Sequence, residues 1–518
     1  MRLAAALLAG AWLVAPAVAQ NQHACADLKQ FAPAGLKLEI EKTEAVPATP
    51  PGVMRISPLR PGTVDVPVPA FCRVDGAIDR RTGADGKTYA IGFALALPDR
   101  WNGRFLFQGG GGLNGSVWPP LGAQAVGNTP ALARGFAVVS TDTGHKGSVF
   151  DGSFFRDQQA SLDFYYVAIG RVAVLAKQMI AWYYGRGAEH SYFSGCSTGG
   201  REGMIMSQRY PAYFDGIVAG APAMRTGYSN LALARIASAF SGAAPKDTAG
   251  KPAMGQLLSD SDRKLIVDSL LKACDALDGV KDGMVFYRDA CPFDPSVLTC
   301  PGAKTDSCLS VQQVNVLGTI EGLRTSRGDV IYPAYPWDVG MGDSQGLPGL
   351  LHGPVLPVPV PVGAGGFDID REFFKVESNA GARLGDSTWT NLSAFAAHGG
   401  KLLFYHGLSD PWFSPLDTVS YYEHMGRDTT ATGPVTTWSR LYLSPGMGHC
   451  GGGSAALDQF DMLTAVVDWV EQGRAPDSVV ATGKAFPGRS RPLCAYPMHA
   501  QYKGQGDTNE AASFVCKE

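Results

Sequence analysis

The chain lacks several features that would place it in common classes of protein. It has no run of basic residues, and 44 Lys and Arg nearly balance 47 Asp and Glu, giving a formal net charge of −3. A nucleic acid is therefore not an expected partner. Beyond the first 19 residues no stretch approaches the ~18 continuous apolar residues of a membrane span, so no membrane segment is expected in the mature chain. No internal repeat is visible.

The first residues have the pattern of a secretory signal. Met1 and Arg2 form a short basic start, residues 3–18 are mainly apolar, and Ala17-Val18-Ala19 is typical of a cleavage site. Such a segment is too short and wrongly flanked to span a membrane. We expect cleavage after Ala19 and a secreted or periplasmic protein, whose oligomeric state the sequence does not indicate.

Ten cysteines, all beyond the signal, fit an oxidising compartment and five disulfides. No two of them have the C-x2-C spacing of zinc sites, so metal binding by cysteine is not expected. Short separations along the chain favour three local bridges, Cys274–Cys291, Cys300–Cys308 and Cys494–Cys516. Spacing alone does not pair the remaining four, Cys25, Cys72, Cys196 and Cys450.

Alternating strand-like and helix-like segments predict an α/β fold. The apolar strand-like segments are 89–97, 104–108, 136–141, 190–194, 216–221, 401–405 and 440–443, and the main helix-like segments are 162–184 and 457–471. This alternation is typical of a mostly parallel sheet covered by helices on both faces. Residues 225–395 break the rhythm, are rich in Gly, Pro and Asp, and include the proline-alternating run 354–362. We predict an α/β-hydrolase core of residues 20–224 and 396–518, with residues 225–395 inserted as a large lid domain.

Ser197 is the candidate nucleophile. It lies in Gly195-Cys-Ser-Thr-Gly199, a G-x-S-x-G pentapeptide, after a strand-like segment and before the helix-like run 201–210. In this context the serine occupies a tight turn where glycines relieve crowding and the hydroxyl projects from the edge of the sheet. Because the chain has 64 glycines, the pentapeptide alone could arise by chance. The flanking strand and helix, and suitable partners downstream, favour the catalytic interpretation.

A serine nucleophile needs a base, and the base needs an acid that holds its tautomer and stabilises its charge. His449 is the best-placed base, since an apolar strand runs there into a glycine-rich loop. Asp410 is the best-placed acid, because it follows an apolar run at the end where open α/β sheets place functional groups. Asp417 and Glu423 are nearby alternatives. The order Ser, Asp, His is that of an α/β-hydrolase.

Cysteines flank both the nucleophile and the base. Cys196 directly precedes Ser197, and Cys450 directly follows His449. A bridge between them would hold the two catalytic candidates side by side across a loop of about 250 residues. In chain-entropy models, a disulfide that closes a loop of this length stabilises the folded state by several kcal/mol. Two ordinary buried thiols are a poor alternative in a secreted protein.

Acyl transfer also needs donors for the oxyanion that develops in the transition state, and losing one typically costs ~3 kcal/mol. One donor should be the backbone N–H of Thr198, the residue after the nucleophile. The other should come from Gln108-Gly-Gly-Gly-Gly112, which follows a strand-like segment and is similar to the HGGG loops of esterases. We favour Gly110 or Gly111; a flexible surface loop is the alternative.

An Asp- and Gly-rich segment of the predicted lid, residues 275–284, spaces Asp275, Asp278 and Asp282 among glycines. Calcium prefers six to eight oxygens from carboxylates and backbone carbonyls, and a tight loop of this kind can supply both. The segment is not an EF-hand loop, because it lacks the D-x-D-x-D-G register and the closing Glu. On spacing alone, a solvated, metal-free turn is a slightly better interpretation.

Taken together, these residues resemble the tannase and feruloyl esterase family of α/β-hydrolases, which also holds the hydrolases of mono(2-hydroxyethyl) terephthalate. The resemblance covers nearly the whole mature chain, and its pieces are highly specific in combination. They are Gln108-Gly-Gly-Gly-Gly112, Ser140-Thr-Asp-Thr-Gly-His145, Gly195-Cys-Ser-Thr-Gly-Gly-Arg-Glu-Gly203, Phe214-Asp-Gly-Ile-Val-Ala-Gly-Ala-Pro222, 275–284, Tyr405-His-Gly-Leu-Ser-Asp-Pro411 and Pro445-Gly-Met-Gly-His-Cys450.

The resemblance implies a triad of Ser197, Asp410 and His449. It also implies the bridges Cys196–Cys450 and Cys25–Cys72, in addition to the three local ones. In the lid it implies a structural calcium ion, which outweighs the metal-free interpretation. The implied calcium ligands are the side chains of Asp275, Asp278 and Asp282 and the carbonyls of Val280 and Met284.

The substrates implied by the resemblance are esters of aromatic acids: gallates, hydroxycinnamates such as ferulate, or terephthalate monoesters. His406 and Phe413 match positions that line the acyl pocket in the terephthalate branch, although both occur widely in the family. That branch holds the free carboxylate with a lid arginine; Arg324 and Arg327 are available, and no motif assigns either. We therefore predict a secreted serine carboxylesterase with feruloyl esters favoured and galloyl esters or terephthalate monoesters as alternatives. A non-catalytic aromatic-binding protein on the same fold is the alternative from another class.

Overall fold

The computed structural model describes residues 22–56, 62–343, 349–353 and 367–518. The predicted signal, residues 1–19, and the proline-alternating run 354–362 lie outside these residues. The strands of the described part are β1 (Leu38–Val46), β2 (Phe71–Thr82), β3 (Thr88–Pro98), β4 (Arg104–Gln108), β5 (Ala137–Thr141), β6 (His190–Cys196), β7 (Gly216–Gly220), β8 (Leu323–Arg324), β9 (Val330–Tyr332), β10 (Lys401–Gly407), β11 (Ser439–Ser444), β12 (Ser478–Thr482), β13 (Ser490–Cys494), β14 (His499–Tyr502) and β15 (Phe514–Lys517).

Nine of these described strands form one sheet, in the order β1-β2-β3-β5-β4-β6-β7-β10-β11. From β5 to β11 in this order every neighbouring pair is parallel, whereas β1, β2 and β3 extend one edge as antiparallel strands. The remaining strands form three small antiparallel pairs, β8 with β9, β12 with β13 and β14 with β15. The predicted α/β class with a mostly parallel sheet is confirmed.

The α-helices of the described part are α1 (Gln158–Leu162), α2 (Ala168–Tyr184), α3 (Thr198–Arg209), α4 (Thr226–Ala243), α5 (Asp260–Cys274), α6 (Val311–Leu317), α7 (Ile369–Ser378), α8 (Ala380–Arg383), α9 (Ser393–Ala397), α10 (Pro415–Asp428) and α11 (Met462–Gln472). Side chains along the central strands alternate between two buried clusters, as a period of two residues requires. Phe193 of β6 and Phe404 of β10 pack in the cluster with α2, α3 and α10. Tyr192 and Leu403 pack in the cluster that contains α11. Helices therefore cover both faces of the sheet.

The chain between β7 and β10 forms a separate layer. It holds α4 to α9 and the β8–β9 hairpin. Buried side chains of α4, α6 and β9, among them Leu231, Phe240, Leu317 and Tyr332, form an apolar cluster of their own. This layer lies at the position in the chain where the sequence predicts an inserted lid.

Both main predicted helices differ in detail from the prediction: the segment 457–471 forms α11 only from Met462 to Gln472, and the segment 162–184 contains an irregular turn. Asp163–Val167 forms a π-helical turn between α1 and α2. Within the described part, the whole stretch Gln158–Tyr184 is the one helix long and apolar enough to cross a membrane by length and composition, but 61% of its most apolar window is buried inside the fold. Packing against the sheet accounts for its hydrophobicity, since core helices meet the same criterion.

The ten cysteines form five disulfides, and none is free. The bridges are Cys25–Cys72, Cys196–Cys450, Cys274–Cys291, Cys300–Cys308 and Cys494–Cys516. Five bridges in one chain fit an oxidising compartment.

Candidate active site

Ser197 occupies the turn between β6 and α3 at the carboxyl edge of the sheet. Its φ is +63°, a value that residues other than glycine rarely adopt. Backbone hydrogen bonds hold the turn: Ser197 N–H donates to Gly220 O at 3.0 Å, and Ser197 O accepts from Ala223 N–H at 3.1 Å. A strained turn between a strand and a helix is the geometry that presents a serine nucleophile at the top of a sheet.

Glycines let this turn pack against two neighbouring stretches of backbone. A Cβ on Gly199 would lie 2.6 Å from Gly110 O, and a Cβ on Gly200 would lie 2.2 Å from Gly220 O. Neither distance leaves room for a side chain. The glycines after the serine are therefore required by close contact with the loop after β4 and with β7.

Asp410 and His449 lie on the loops that follow β10 and β11, which are neighbouring parallel strands. His449 Nδ1 is 2.7 Å from Asp410 Oδ2, and both side chains are buried. Since an ionised carboxylate only accepts, Nδ1 carries the proton and Nε2 is left as the basic nitrogen. Burial alone would raise the pKa of the Asp410 carboxyl, but His449 and His406 hold it well below its usual value. The acid is therefore ionised, which is the state that stabilises a charged imidazole.

The backbone fixes the other oxygen of the acid. Asp410 Oδ1 accepts from Trp412 N–H at 2.8 Å and from Phe413 N–H at 3.1 Å. Backbone N–H donors favour the charged form of a carboxylate and restrict its orientation. The turn after Asp410 thus contributes to the geometry of the acid.

His406 lies behind Asp410. Its side chain is fully buried, Nε2 is 3.1 Å from both Asp410 Oδ2 and Phe413 O, and Nδ1 is 2.9 Å from Thr418 Oγ1. Because both neighbours of Nε2 are acceptors, Nε2 carries the proton and the neutral ring accepts from the Thr418 hydroxyl at Nδ1. These hydrogen bonds orient the acid, and the predicted role of His406 in lining the acyl pocket stays a prediction.

The bridge Cys196–Cys450 joins the serine turn to the base loop, with Cα atoms 5.9 Å apart. Ser197 and His449 are each one residue away from this bridge. The two cysteines are 254 residues apart in the chain. A covalent bond therefore restrains the separation of the nucleophile turn and the base loop, which otherwise depends on strand packing alone.

Glu202 distinguishes between the two glycines predicted as oxyanion donors. Gly110 N–H donates to Glu202 Oε2 at 3.0 Å. This N–H therefore points at a fully buried side chain, and the prediction for Gly110 is wrong. Gly111 is left as the candidate on the loop. Thr198 begins α3, where an N–H has no acceptor within the helix and favours an anion.

Sequence reasoning does not identify Glu202. Its carboxylate also accepts from Asn114 Nδ2 at 2.7 Å, so that it links α3 to the loop after β4 at two points. Burial raises the pKa of Glu202, whereas Arg201 and the N–H donors lower it. One sequence signal for Glu202 is available: two charged residues, Arg201 and Glu202, stand near the start of the helix after the nucleophile. A helix that packs against a sheet buries its first turn, and buried charges need partners.

Aromatic rings surround the base and the oxyanion loop. The rings of Trp412 and Phe413 lie 4.9 and 5.3 Å from the His449 ring, and the Phe150 ring lies 5.9 Å from that of Trp412. Trp118 lies close to the oxyanion loop, since a Cβ on Gly111 would be 3.0 Å from its ring. Phe150 is 43% exposed, and both tryptophans are partly exposed. The triad therefore has accessible aromatic surfaces beside it.

The alternative acids have other partners. Asp417 pairs with Arg225, and Glu423 accepts from the Tyr496 hydroxyl at 2.7 Å. Of the three acids, Asp410 is the one that contacts His449.

The two lid arginines lie around the β8–β9 hairpin and are exposed. Arg324 donates to Gly328 O at 2.9 Å within that hairpin. Arg327 lies in the turn that joins the two strands. The structure therefore does not single out either arginine as a substrate ligand.

The Asp- and Gly-rich loop of the lid is anchored to the C-terminal part of the chain. Asp278 O accepts from Gln501 Nε2 at 2.6 Å, and the Asp282 carboxylate pairs with Arg491. Asp275 Oδ1 accepts from Asp282 N–H at 3.0 Å. The two other predicted ligands belong to the same loop: Val280 N–H bonds Asp278 Oδ1, and Met284 N–H bonds Asp282 Oδ1, both at 3.2 Å.

The donors of this loop fit calcium in their chemistry. The side chain of Asp278 is buried, and its Oδ2 has no hydrogen-bond partner. Burial raises the pKa of Asp278 to about 7, and the carboxylates of Asp282 and Asp275 contribute to the rise. A cation would relieve both the burial and the repulsion. In the described ranges, no three His, Cys, Asp or Glu side chains already converge as a metal cluster, so calcium stays a prediction.

Comparison with known proteins gives consistent similarities over most of the chain. A family model described as "Tannase and feruloyl esterase" matches residues 72–347 and 369–517. A mono(2-hydroxyethyl) terephthalate hydrolase of Piscinibacter sakaiensis is 39% identical, over 87% of this chain and 85% of that protein. A probable feruloyl esterase B-2 of Aspergillus terreus is 30% identical, over 86% of each chain. The crystal structure of feruloyl esterase B from Aspergillus oryzae matches with a TM-score of 0.77 at 25% identity, over 95% of this chain and 99% of that one.

Proposed function

The chain belongs to the tannase and feruloyl esterase family and is a carboxylic ester hydrolase, and we propose that it hydrolyses esters of aromatic acids with a triad of Ser197, His449 and Asp410. The observation that carries this proposal is the buried hydrogen bond from His449 Nδ1 to Asp410, on a base loop that a disulfide ties to the strained serine turn. This arrangement supplies a nucleophile, a base with a fixed tautomer and an ionised acid.

The reaction proceeds through an acyl-enzyme. His449 Nε2 takes the proton of the Ser197 hydroxyl as Oγ attacks the ester carbonyl, and Asp410 stabilises the imidazolium that forms. The bond to the alcohol breaks, and His449 gives its proton to the departing oxygen. Water then repeats the attack on the acyl-enzyme, which releases the acid and restores the serine.

Two backbone N–H groups, those of Thr198 and Gly111, hold the oxyanion. Thr198 N–H belongs to the first turn of α3, where the helix dipole favours negative charge. Gly111 takes the role on the loop because its neighbour Gly110 donates to Glu202.

The aromatic surroundings support aromatic acids as the acyl group. The exposed parts of Phe150, Trp412 and Trp118 offer ring faces beside the base and the oxyanion loop. Contact between two aromatic rings stabilises a complex by ~1 kcal/mol in addition to the hydrophobic contribution of the area that they bury. Feruloyl and related hydroxycinnamoyl esters are the favoured substrates, and galloyl esters are an alternative. Terephthalate monoesters are a further alternative, which the 39% identity to a mono(2-hydroxyethyl) terephthalate hydrolase supports.

The protein is secreted or periplasmic in this proposal. The five disulfides support an oxidising compartment. The first 19 residues have the pattern of a signal peptide, which would direct export of the chain.

The nucleophile is tested by Ser197→Ala. Turnover of methyl ferulate, methyl gallate and mono(2-hydroxyethyl) terephthalate should fall by several orders of magnitude while the circular dichroism spectrum is kept, because no other hydroxyl occupies the turn. The matched control is Ser207→Ala, which removes a buried hydroxyl of α3 that donates to Met204 O in the same helix. This variant should keep its turnover. Undiminished turnover in Ser197→Ala would sink the assignment.

A fluorophosphonate probe separates this proposal from a non-catalytic aromatic-binding protein. The esterase is labelled at Ser197, whereas a binding protein without the chemistry is not. The relative kcat/KM values on the three esters then rank the acyl groups. Substrate choice is thus measured separately from the presence of an active nucleophile.

A structural calcium ion in the loop of residues 275–284 completes the proposal. The side chains of Asp275, Asp278 and Asp282 and the carbonyls of Val280 and Met284 would hold it. When bound, the ion would supply positive charge to three repelling carboxylates and order the loop. The support for it is the buried and unpartnered Asp278 Oδ2 among hard oxygen donors.

A further inference from the structure

One segment of the lid, residues 332–343, contacts both loops that carry the acid and the base; we call it the lid strap. Asp338 lies in this strap with its side chain buried. Its Oδ2 accepts from the hydroxyl of Ser409, the residue before Asp410, and from Gly446 N–H at 2.8 Å, three residues before His449. A single carboxylate oxygen of the lid therefore joins the acid loop to the base loop.

The backbone of the lid strap meets the same two loops at Gly340. A Cβ on Gly340 would lie 2.6 Å from Gly446 O and 2.6 Å from Ser409 Oγ. No side chain fits between these atoms. The strap is thus in direct contact with Ser409 and Gly446 both through the carboxylate of Asp338 and through its own backbone.

The lid strap also holds the turn that follows the acid. Ser414 N–H donates to the Tyr332 hydroxyl at 3.0 Å, and the Ser414 hydroxyl donates to Ala334 O at 2.6 Å. The Tyr335 hydroxyl donates to Trp412 O at 3.2 Å. This turn supplies the N–H groups that orient the acid, so the lid fixes the acid from two directions.

The core also connects the two loops. Ser409 N–H donates to Met447 O at 3.0 Å, and Asp410 itself accepts from His449 Nδ1 at 2.7 Å. Asp338 differs from these contacts because one oxygen of a buried lid side chain accepts from both loops at once. The lid contact is therefore an additional restraint on the relative position of the loops, and it comes from outside the triad.

We propose that Asp338 is a positioning residue for the triad: through Ser409 and Gly446 it sets the geometry of Asp410 against His449. The lid is then part of the catalytic apparatus in addition to any role in substrate choice. This inference rests on the proposed esterase function of the triad.

The central test is Asp338→Asn, which keeps the size of the side chain and replaces one carboxyl oxygen with an amide nitrogen that cannot accept a hydrogen bond. We expect kcat on methyl ferulate to fall on the order of 10- to 100-fold, since displacements of about 1 Å in a catalytic group have effects of that size. The KM should change little, because the side chain of Asp338 is buried and its hydrogen bonds are to the two loops. The rate of fluorophosphonate labelling at Ser197 should fall by a similar factor, because it reports the same activated nucleophile.

The matched control is Asp262→Asn in the same inserted layer. Asp262 is also a buried carboxylate, and it accepts from Lys304 Nζ at 2.8 Å and from Gln313 Nε2 at 2.9 Å, far along the chain from the triad loops. This variant should lower the melting temperature and keep kcat when assayed well below that temperature. A general loss of lid stability is thereby separated from a loss of triad geometry.

Equal kcat values for folded Asp338→Asn, Asp262→Asn and wild type would overturn the inference. If Asp338→Asn does not fold, Ser409→Ala replaces it, since that variant removes only the hydroxyl that reaches Asp338; a smaller loss of kcat is then expected, and no loss overturns the inference. Wild-type protein is assayed first. A wild type that neither hydrolyses the esters nor is labelled refutes the proposed function and the inference with it, whereas an active wild type with an unimpaired Asp338→Asn refutes only the inference.

Discussion

At the scale of single residues, two imidazoles share one carboxylate oxygen. His406 Nε2 and His449 Nδ1 both donate to Asp410 Oδ2, at 3.1 and 2.7 Å. His406 is held by Thr418 and Phe413 O, so its hydrogen bond to Asp410 does not depend on His449. Together with the N–H groups of Trp412 and Phe413, it gives the buried acid donors that take no part in proton transfer, which limits the cost of its burial.

Asp410 predicts a pH dependence of stability. Its folded pKa is held below the usual value of 3.8, so the unfolded chain binds the proton more readily. The ionised carboxylate therefore stabilises the folded state above about pH 4, and this contribution is lost as the pH falls through the folded pKa. The difference in unfolding free energy between wild type and Asp410→Asn, measured in urea, should be largest near neutral pH and shrink below pH 4. A difference that grows with acidity would contradict the assignment of a charged, hydrogen-bonded acid.

Glu202 predicts a loss of turnover without a loss of binding. Glu202→Gln can accept only one of the two hydrogen bonds from Gly110 and Asn114, so the loop that carries Gly111 should shift. We expect kcat to fall by roughly tenfold or more with KM little changed, because the oxyanion forms only in the transition state. Glu372→Gln, a buried glutamate paired with Lys375 on α7, is the control and should keep kcat. A rise in KM at constant kcat would instead place Glu202 in ground-state binding.

At the scale of elements, the turn between β6 and α3 packs so closely against neighbouring backbone that no side chain fits at Gly199 or Gly200. Gly200→Ala should destabilise the fold by about 1–3 kcal/mol or more, because a Cβ 2.2 Å from Gly220 O would force the two backbone segments apart, as overpacking does. Gly242→Ala near the end of α4 is the matched control: nothing lies within 4 Å of its Cβ. Alanine there should be neutral or stabilise by up to about 1 kcal/mol through helix propensity. Thermal unfolding of the two variants should shift in opposite directions, and a Gly200→Ala that melts like wild type would contradict the packing described.

The elements that sequence could predict are those whose pattern is local. The central strands β3 to β7, β10 and β11 are apolar runs because both of their faces are covered, and their bounds agree with the predicted ones within a few residues. The edge strand β1 reads Leu-Glu-Ile-Glu-Lys-Thr-Glu-Ala-Val and alternates between half-buried and exposed positions, so no apolar run marks it. The π-helical turn at Asp163–Val167 leaves the apolar pattern of its helix unbroken and is equally invisible in sequence.

The same distinction holds in the site. Ser197, Asp410 and His449 each end a strand or stand in a short motif, so sequence places them without knowledge of the fold. The roles of Glu202 and Asp338 depend on partners about 70 to 110 residues away, which loop packing brings together and chain order does not reveal. The hydrogen bonds of His406 to Asp410 and Phe413 O are likewise set by the folding of the loop after β10, and the family resemblance alone does not predict them.

At the scale of the whole molecule, two of the long-range links between the lid and the core differ in what they support. The lid strap reaches the triad loops through Asp338, and the loop of residues 275–284 reaches the C-terminal strands through Gln501 and Arg491. The first link bears on the reaction, because its partners adjoin Asp410 and His449. The second lies among structural strands, so its loss should reduce the stability of the lid more than the chemistry.

Removal of calcium tests this division. Chelation with EGTA should lower the melting temperature of the protein, and excess calcium should restore it, because an ion bound only by the folded loop stabilises that state by mass action. Turnover of methyl ferulate at low temperature should fall much less than stability, since the ion would sit in a loop between Cys274 and Cys291 and contribute no group to Ser197 or His449. Asp278→Asn should mimic chelation and make the melting temperature insensitive to calcium. The contrary result, an immediate and complete loss of turnover on chelation at an unchanged melting temperature, would assign the ion to the chemistry and would show that the second link also supports the triad.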